Sequence, residues 1–333
     1  MIKMMNCRIC GASSVTVAGE VEYYAGYARQ VCDCSACRCR FTGHDDSIYE
    51  VLHASSSVAY YNDYRDLAQQ CRSLFDKRDR EGLRALLRQT PKYRFVIDEL
   101  ERAPRDARVL EVGCSRGYLT SWFILDGRKI LGADVSTAAL EGARSNFGEH
   151  FVHAETQAVE AGAPYDFIYH VGMIGCVSDP MQLTRDLLAM LKPGGSLLFN
   201  APNLRSCYLR GQLWLDSAPP PDVVTLFTPG FWSQHLGSEV EVNEREDMLP
   251  AEIGMNVGLR KLFRRRWNRP DLGSLSATSN LATSMRDNPK RLWQVFERAV
   301  NKTGRVTGLS RLAAPQPSEF GLYVKMTKGT GVA

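Results

Sequence analysis

The pattern of hydrophobic and polar positions changes character near residue 107. Residues 46–105 place apolar side chains three and four apart, which predicts amphipathic helices. Short apolar runs then follow at residues 108–112, 129–134 and 165–171, and helical stretches separate them. Strands that alternate with helices in this way predict βαβ units, and therefore an α/β fold with a parallel sheet.

The remaining pattern adds further elements. Residues 150–153 and 196–200 predict two more strands, and residues 192–195 (Lys-Pro-Gly-Gly) predict the turn before the second of them. Residues 257–300 look helical and basic, and residues 320–327 alternate like a closing strand. Right-handed crossovers would place a ligand at the carboxyl ends of the parallel strands.

Composition excludes several classes of protein. The 333 residues are 44% hydrophobic and 23% charged, as in ordinary globular chains. A formal charge of +4 is too small to argue for nucleic acid on its own. No apolar run is long enough to span a membrane, and the first residues lack a signal-peptide core. We therefore expect a cytoplasmic protein with no membrane partner.

Six of the ten cysteines lie within the first 40 residues. In a reducing compartment, such a cluster indicates a metal site and not disulfides. Two Cys-x-x-Cys pairs, 23 residues apart, have the spacing of a four-thiolate structural zinc site. The expected zinc ligands are Cys7, Cys10, Cys34 and Cys37.

Cys32 and Cys39 complicate this choice of ligands. Either could replace one of the four in another register, although only the four expected ligands give the Cys-x-x-Cys spacing. The alternative stays open at this point.

A glycine-containing turn follows the first predicted strand, in the pattern Glu111-x-Gly113-x-x-x-Gly117. Gly113 permits a tight turn and close approach of a ligand to the backbone. Asp134 ends the next predicted strand, 21 residues beyond Gly113. A carboxylate at that position can accept both ribose hydroxyls of a nucleoside. The spacing differs from the dinucleotide Gly-x-Gly-x-x-Gly pattern, so another nucleotide remains an alternative.

These elements, with Asp166, Asp179-Pro180 and the Lys-Pro-Gly-Gly turn in the same order, resemble the class I S-adenosylmethionine (SAM)-dependent methyltransferase family over residues 107–201. The resemblance implies a Rossmann-like, seven-stranded, mostly parallel sheet with helices on both faces, a small N-terminal zinc ribbon and helical additions. It also implies SAM as methyl donor. The implied contacts to SAM are Tyr60, Glu111, Gly113, Cys114, Gly117, Asp134, Val135, Ala154, Glu155 and His170. Ser115 departs from the family, which usually has a glycine there.

The N-terminal cysteines, followed by Phe41-Thr42, are similar to a subset of this family with a zinc ribbon, which includes deoxysugar C-methyltransferases. The resemblance implies Tyr61 and Asp222 as catalytic residues. In the alternative, Tyr60 and Tyr61 only cover the SAM pocket, and Asp222 is a solvated loop residue. The subset has two histidines that are absent here, where the sequence reads Gly175-Cys176 and Val223. We expect these replacements to make the acceptor wall smaller and more apolar.

The predicted organisation has four parts: a zinc ribbon (1–45), a helical connector over the SAM site (46–105), a SAM-binding core (106–255) and a helical addition with a closing strand (256–333). We expect SAM-dependent methylation of a small natural-product or sugar-like molecule at O, N or C. The basic stretch 260–269 leaves an RNA methyltransferase as an alternative, although an amphipathic helix explains it better. A non-catalytic SAM-binding adaptor is a third interpretation.

Overall fold

The structure is a computed structural model, and it describes residues 6–24, 27–44, 59–215, 217–249 and 316–330. The N-terminal part is a small antiparallel sheet. Its strands in chain order are β1 (Val15–Tyr24), β2 (Tyr27–Cys34) and β3 (Arg40–Phe41). The fourth strand of this sheet comes from much later in the chain, because β3 pairs antiparallel with β9 (Thr225–Leu226).

Three helices connect this sheet to the rest of the chain: α1 (Ala59–Asp76), α2 (Arg80–Leu87) and α3 (Pro91–Leu100). The Asp79 side chain accepts a hydrogen bond from Gly82 N and so caps α2. Each of the last two helices buries its apolar side, as the three- and four-residue spacing predicted.

The central sheet has seven strands in the order β10-β11-β8-β7-β4-β5-β6. Neighbouring strands from β6 to β8 are parallel, whereas β11 runs antiparallel to both of its neighbours. The strands are β4 (Arg108–Val112), β5 (Lys129–Asp134), β6 (Phe151–His153), β7 (Tyr165–Val171), β8 (Leu191–Ala201), β10 (Val240–Leu249) and β11 (Gln316–Lys328).

Short helices join these strands and cover the sheet. They are α4 (Tyr118–Leu125), α5 (Thr137–Phe147), α6 (Gln157–Ala161), α7 (Pro180–Ala189), α8 (Leu204–Arg210) and α9 (Phe231–His235). Ser136 caps α5 through a hydrogen bond from Ala139 N, as its position in the sequence predicted. The sheet is buried between two large apolar clusters, one on each face. Among the described helices, none is both long enough and apolar enough to cross a membrane.

Three predicted strands, 108–112, 129–134 and 165–171, are confirmed with the same bounds. The predicted turn at 192–195 is wrong, because these residues lie inside β8, where the register against β7 shifts. Strand β10 was not predicted. The basic stretch 260–269 lies outside the described residues.

Candidate active site

The loop between β4 and α4 has a left-handed backbone at three positions. Gly113 has φ +71°, Ser115 +50° and Gly117 +76°. A Cβ on Gly117 would lie 2.6 Å from the ring of Phe151, so this glycine also lets the loop pack closely on the sheet. The loop therefore turns tightly at the carboxyl end of β4, where the amides of Gly113 and Gly117 are already hydrogen-bonded to backbone carbonyls.

A polar shelf lies beside this loop at the end of β5. Asp134 Oδ2 accepts a hydrogen bond from Ser115 N at 2.7 Å, and Oδ1 accepts one from Ser136 N at 2.9 Å. Val135 has an exposed fraction of 59%, which is high for an apolar side chain. Ala154 N donates to Asp134 O at 2.9 Å, so the end of β6 joins the same shelf. The carboxylate keeps lone pairs for ribose hydroxyls, and Val135 offers an apolar surface for a purine, so the residues fit a nucleoside.

Two side chains that were expected to contact the donor lie behind the loop. Glu111 is 2% exposed, and its Oε2 accepts hydrogen bonds from Thr120 Oγ1 and, at 2.9 Å, from Tyr169 Oη. Burial raises the pKa of Glu111 to about 7. Cys114 is also 2% exposed and packs against Gly132. Both side chains therefore pack beneath the loop, closed off from solvent.

The position of His170 is a correction. The imidazole was expected to face the methionine part of the donor, but it is fully buried and stacks on Phe199 with ring centroids 4.7 Å apart. Neither ring nitrogen has a hydrogen-bond partner among the described residues. Burial lowers the pKa of His170 to about 3. Strand alternation explains the error, because consecutive side chains of β7 point to opposite faces of the sheet.

Two loops form one wall beside the end of β7, and we call residues 172–178 and 222–228 the loop wall. Val224 N and Thr225 N both donate to Gly175 O, at 2.8 and 3.0 Å. A Cβ on Gly175 would lie 2.5 Å from Pro202 Cγ. The two loops are therefore tightly joined through these hydrogen bonds, and there is no room for a side chain at Gly175.

The expectation of a smaller and more apolar wall is not supported at these positions. Pro202 closes the space beside Gly175. Cys176 is 7% exposed and Val223 is 3% exposed, and both pack in an apolar cluster with Trp214. The side chains of Cys176 and Val223 therefore pack in the interior behind the loop wall.

Polar groups converge on the loop wall instead. Asp222 is half-buried, and desolvation raises its pKa to about 6 although the positive charge of Lys92 opposes this shift. Lys92 Nζ lies next to Gly172, 3.1 Å from where a Cβ would be. His44 Nε2 lies 3.0 Å from Cys176 O. The carboxylate, the ammonium and the imidazole thus come from three distant parts of the chain.

Sequence reasoning identified Asp222 but missed Lys92 and His44. His44 lies two residues after Phe41-Thr42, a pair that the sequence had already singled out. Lys92 had no signal, because an isolated lysine at the start of a helix resembles any solvated charge.

The first turns of α1 contain Tyr60 and Tyr61, the expected donor and acceptor contacts. Only the backbone is described at these two positions, so their expected roles stay predictions.

The four expected metal ligands come together in the N-terminal sheet. All four sulfur atoms lie within 4.8 Å of one another. Cys7 Sγ is 3.7 Å from Cys37 Sγ, and Cys10 Sγ is 3.7 Å from Cys34 Sγ. A tetrahedron of sulfurs with zinc–sulfur bonds of about 2.3 Å has edges of about 3.8 Å, so the four thiols fit zinc. Within the described residues, Cys32 and Cys39 are outside this group.

A family model described as a methyltransferase domain matches residues 48–237 of the chain. Among curated relatives, the ubiquinone biosynthesis O-methyltransferase of Bordetella avium is 32% identical over 114 residues, which cover 32% of this chain and 47% of that protein. The malonyl-[acyl-carrier protein] O-methyltransferase of Enterobacter lignolyticus is 29% identical over 121 residues, 35% of this chain and 48% of that protein. The chain thus spans about half the length of the curated relatives it matches.

The solved structures that resemble this chain have lower sequence identity to it than the curated relatives. The plantazolicin methyltransferase BpumL in complex with a triazolic desmethylPZN analog and SAH is 15% identical, with a TM-score of 0.40 over 85% of this chain and 99% of that chain. A SAM dependent methyltransferase from Archaeoglobus fulgidus is 19% identical, with a TM-score of 0.38 over 71% of this chain and 94% of that chain. The assignment rests on the family model, which covers more than half of the residues. The chain belongs to the class I SAM-dependent methyltransferase family.

Proposed function

We propose that this protein transfers a methyl group from SAM to a hydroxyl of a small-molecule acceptor. The observation that carries this proposal is a half-buried carboxylate, Asp222, on the loop wall, whose residue Met173 packs against Gly113 at the end of β4. Parallel strands that end at one edge create the crevice in which such folds bind ligands.

On the donor side, the loop after β4 supplies a tight backbone turn, and Asp134 supplies acceptors for two ribose hydroxyls. Val135 and Ala154 would border the adenine, and Glu155 follows them at the same edge. When bound, SAM supplies a methyl group already activated on a sulfonium. The task left to the protein is to align the acceptor and to exclude water.

On the acceptor side, Asp222 is suited to act as general base. The acceptor hydroxyl passes its proton to the carboxylate, the new oxygen–carbon bond forms, and the sulfur–methyl bond breaks to leave S-adenosylhomocysteine (SAH). A base with a raised pKa near 6 is ionised at neutral pH and still accepts a proton well. Lys92 offers a positive charge next to this carboxylate and to a developing alkoxide or phenoxide.

The named relatives agree with a hydroxyl acceptor. Both are called O-methyltransferases, one in ubiquinone biosynthesis and one acting on malonyl-[acyl-carrier protein]. Since they match only about a third of this chain, they support the class of reaction, and the acceptor itself stays a proposal.

The Asp222→Asn variant tests the proposal. A panel of phenols, sugar nucleotides and amines, incubated with SAM, should show methylation of a hydroxyl compound. The wild-type rate should rise with pH through about 6 and then level off, because only the ionised carboxylate accepts a proton. The methylation rate of the variant should be at least about a hundredfold lower and should no longer rise with pH around 6.

Asp106→Asn, a change at an exposed carboxylate far from the loop wall in sequence, serves as the control. Equal rates for Asp222→Asn and Asp106→Asn would contradict the role of Asp222. Methylation of amines alone, at the same rate in both variants, would contradict the hydroxyl acceptor.

We further propose that Cys7, Cys10, Cys34 and Cys37 hold a structural zinc ion. Four thiolates close the coordination shell, so the metal would add folding energy to a small sheet and take no part in the reaction.

A further inference from the structure

Arg8 connects the cysteine cluster to the loop wall. It lies inside the first Cys-x-x-Cys pair, yet its guanidinium reaches out of the N-terminal sheet. Nη1 donates to Ser178 O at 2.7 Å and lies 3.4 Å from Val177 O. Nη2 donates to Val224 O at 2.8 Å and also to Thr225 Oγ1. One side chain therefore bonds to both loops of the wall, which the fork of the guanidinium allows and a single ammonium would not.

The backbone makes a second connection between the same parts. Strand β3 pairs with β9, with Arg40 opposite Leu226 and Phe41 opposite Thr225. Thr42 N extends the pairing by donating to Val224 O at 3.0 Å. The edge of the N-terminal sheet is thus a segment of the loop wall.

The third connection lies within the wall, where Val224 N and Thr225 N donate to Gly175 O. Asp222 stands two residues before Val224, and Cys176 follows Gly175. A shift of the cysteine cluster would pass through these bonds to the carboxylate. The nucleoside shelf, by contrast, is held by hydrogen bonds among the ends of β4, β5 and β6.

We propose that Arg8 is a positioning residue, which transmits the closed geometry of the metal-loaded cysteine cluster to the loop wall and so fixes the place of Asp222. The proposal rests on the proposed function for the role of Asp222. The N-terminal sheet then forms part of the acceptor site, and loss of metal loosens the loop wall while the donor shelf stays intact.

Hydrogen–deuterium exchange on the full chain tests this inference. In Arg8→Met, which keeps most of the side-chain length but removes the donors, peptides covering 172–178 and 222–228 should exchange about tenfold faster. A peptide covering 108–118 should be unchanged. Arg8→Lys should restore part of the protection, because one ammonium can bond to only one of the two loops well. Removing the metal from the wild-type chain with a chelator should loosen the same two peptides.

Arg38→Met is the matched control, because Arg38 is exposed and directly follows the second Cys-x-x-Cys pair. It should leave all of these peptides unchanged. The proposal is overturned if Arg8→Met and Arg38→Met give the same exchange. It is also overturned if both Arg8 variants loosen residues 108–118 equally, since Arg8 would then stabilise the chain in general. Titration of each variant with SAH separates this result from the proposed function: failure of the wild-type chain to bind SAH would refute the function and leave the exchange result to decide on Arg8.

Discussion

At the scale of single residues, glycines with similar backbone angles have different surroundings. Gly117 and Gly127 have φ of +76° and +72°. A Cβ on Gly117 would lie 2.6 Å from Phe151 Cζ, whereas a Cβ on Gly127 would have nothing within 4 Å. The first glycine is needed for both its conformation and its packing, and the second for its conformation alone.

We therefore predict that Gly117→Ala lowers the free energy of unfolding by about 3 kcal/mol, because backbone strain and overpacking add. Gly127→Ala should cost only about 1 kcal/mol, since it adds strain without a clash. Urea denaturation of both variants measures the difference. Equal losses would show that the loop after β4 is not packed on Phe151 as described.

His170 gives a prediction about acid stability. Its pKa is about 3 in the folded chain and near 6.5 when unfolded, so between these values only the unfolded chain binds the proton. The contribution of His170 to the free energy of unfolding is therefore fully present above pH 6.5. As the pH drops below that value, the free energy of unfolding falls by about 1.4 kcal/mol per pH unit. His170→Leu removes this dependence and two buried nitrogens without partners.

Urea denaturation at about pH 7 and about pH 5 tests the predicted effect of His170 on acid stability. Between these two pH values, the free energy of unfolding of the wild-type chain should fall by about 2 kcal/mol more than that of His170→Leu. His150→Leu, which alters a half-buried imidazole in a loop, is the control and should lose as much as the wild type. If His170→Leu and the wild type lose the same amount, the imidazole is not buried in neutral form.

At the scale of elements, periodicity predicted the parallel strands well, because their apolar runs are short and bounded by turn residues. Periodicity failed for segments whose conformation is set by pairing with strands that are distant in the sequence. Residues 192–195 read as a turn, but β8 continues through them with a shift in register. Strand β10 alternates apolar and polar residues only over 240–243, and four charged residues follow, so its strand signal was weak. Strand β9 has two residues and no readable pattern.

The N-terminal sheet leads to a prediction about metal content. The purified chain should contain one zinc ion, and Cys34→Ser should lose it because a thiolate of the four-sulfur group is removed. Cys32→Ser should keep it, since Cys32 is buried but lies outside that group. Elemental analysis measures the stoichiometry. Loss of zinc in Cys32→Ser, with retention in Cys34→Ser, would reverse the choice of ligands.

At the scale of the whole molecule, the fold class and the position of the donor shelf could be predicted from the sequence. Strand ends that lie far apart in the chain meet at one edge of a parallel sheet, so Asp134 and Gly113 had to be neighbours. The loop wall could not be predicted, because it assembles Lys92, His44 and Asp222 through pairings that have no local signal. The inward direction of His170 was equally invisible, since it depends on which sheet face is covered.

The proposed function depends above all on a SAM site at the ends of β4, β5 and β6. Calorimetric titration of the wild-type chain with SAH tests it most directly. We predict one site per chain and an affinity at least tenfold weaker in Asp134→Ala, which loses the acceptors for the ribose hydroxyls. Absence of binding to the wild-type chain, or equal affinity in Asp134→Ala, would contradict it.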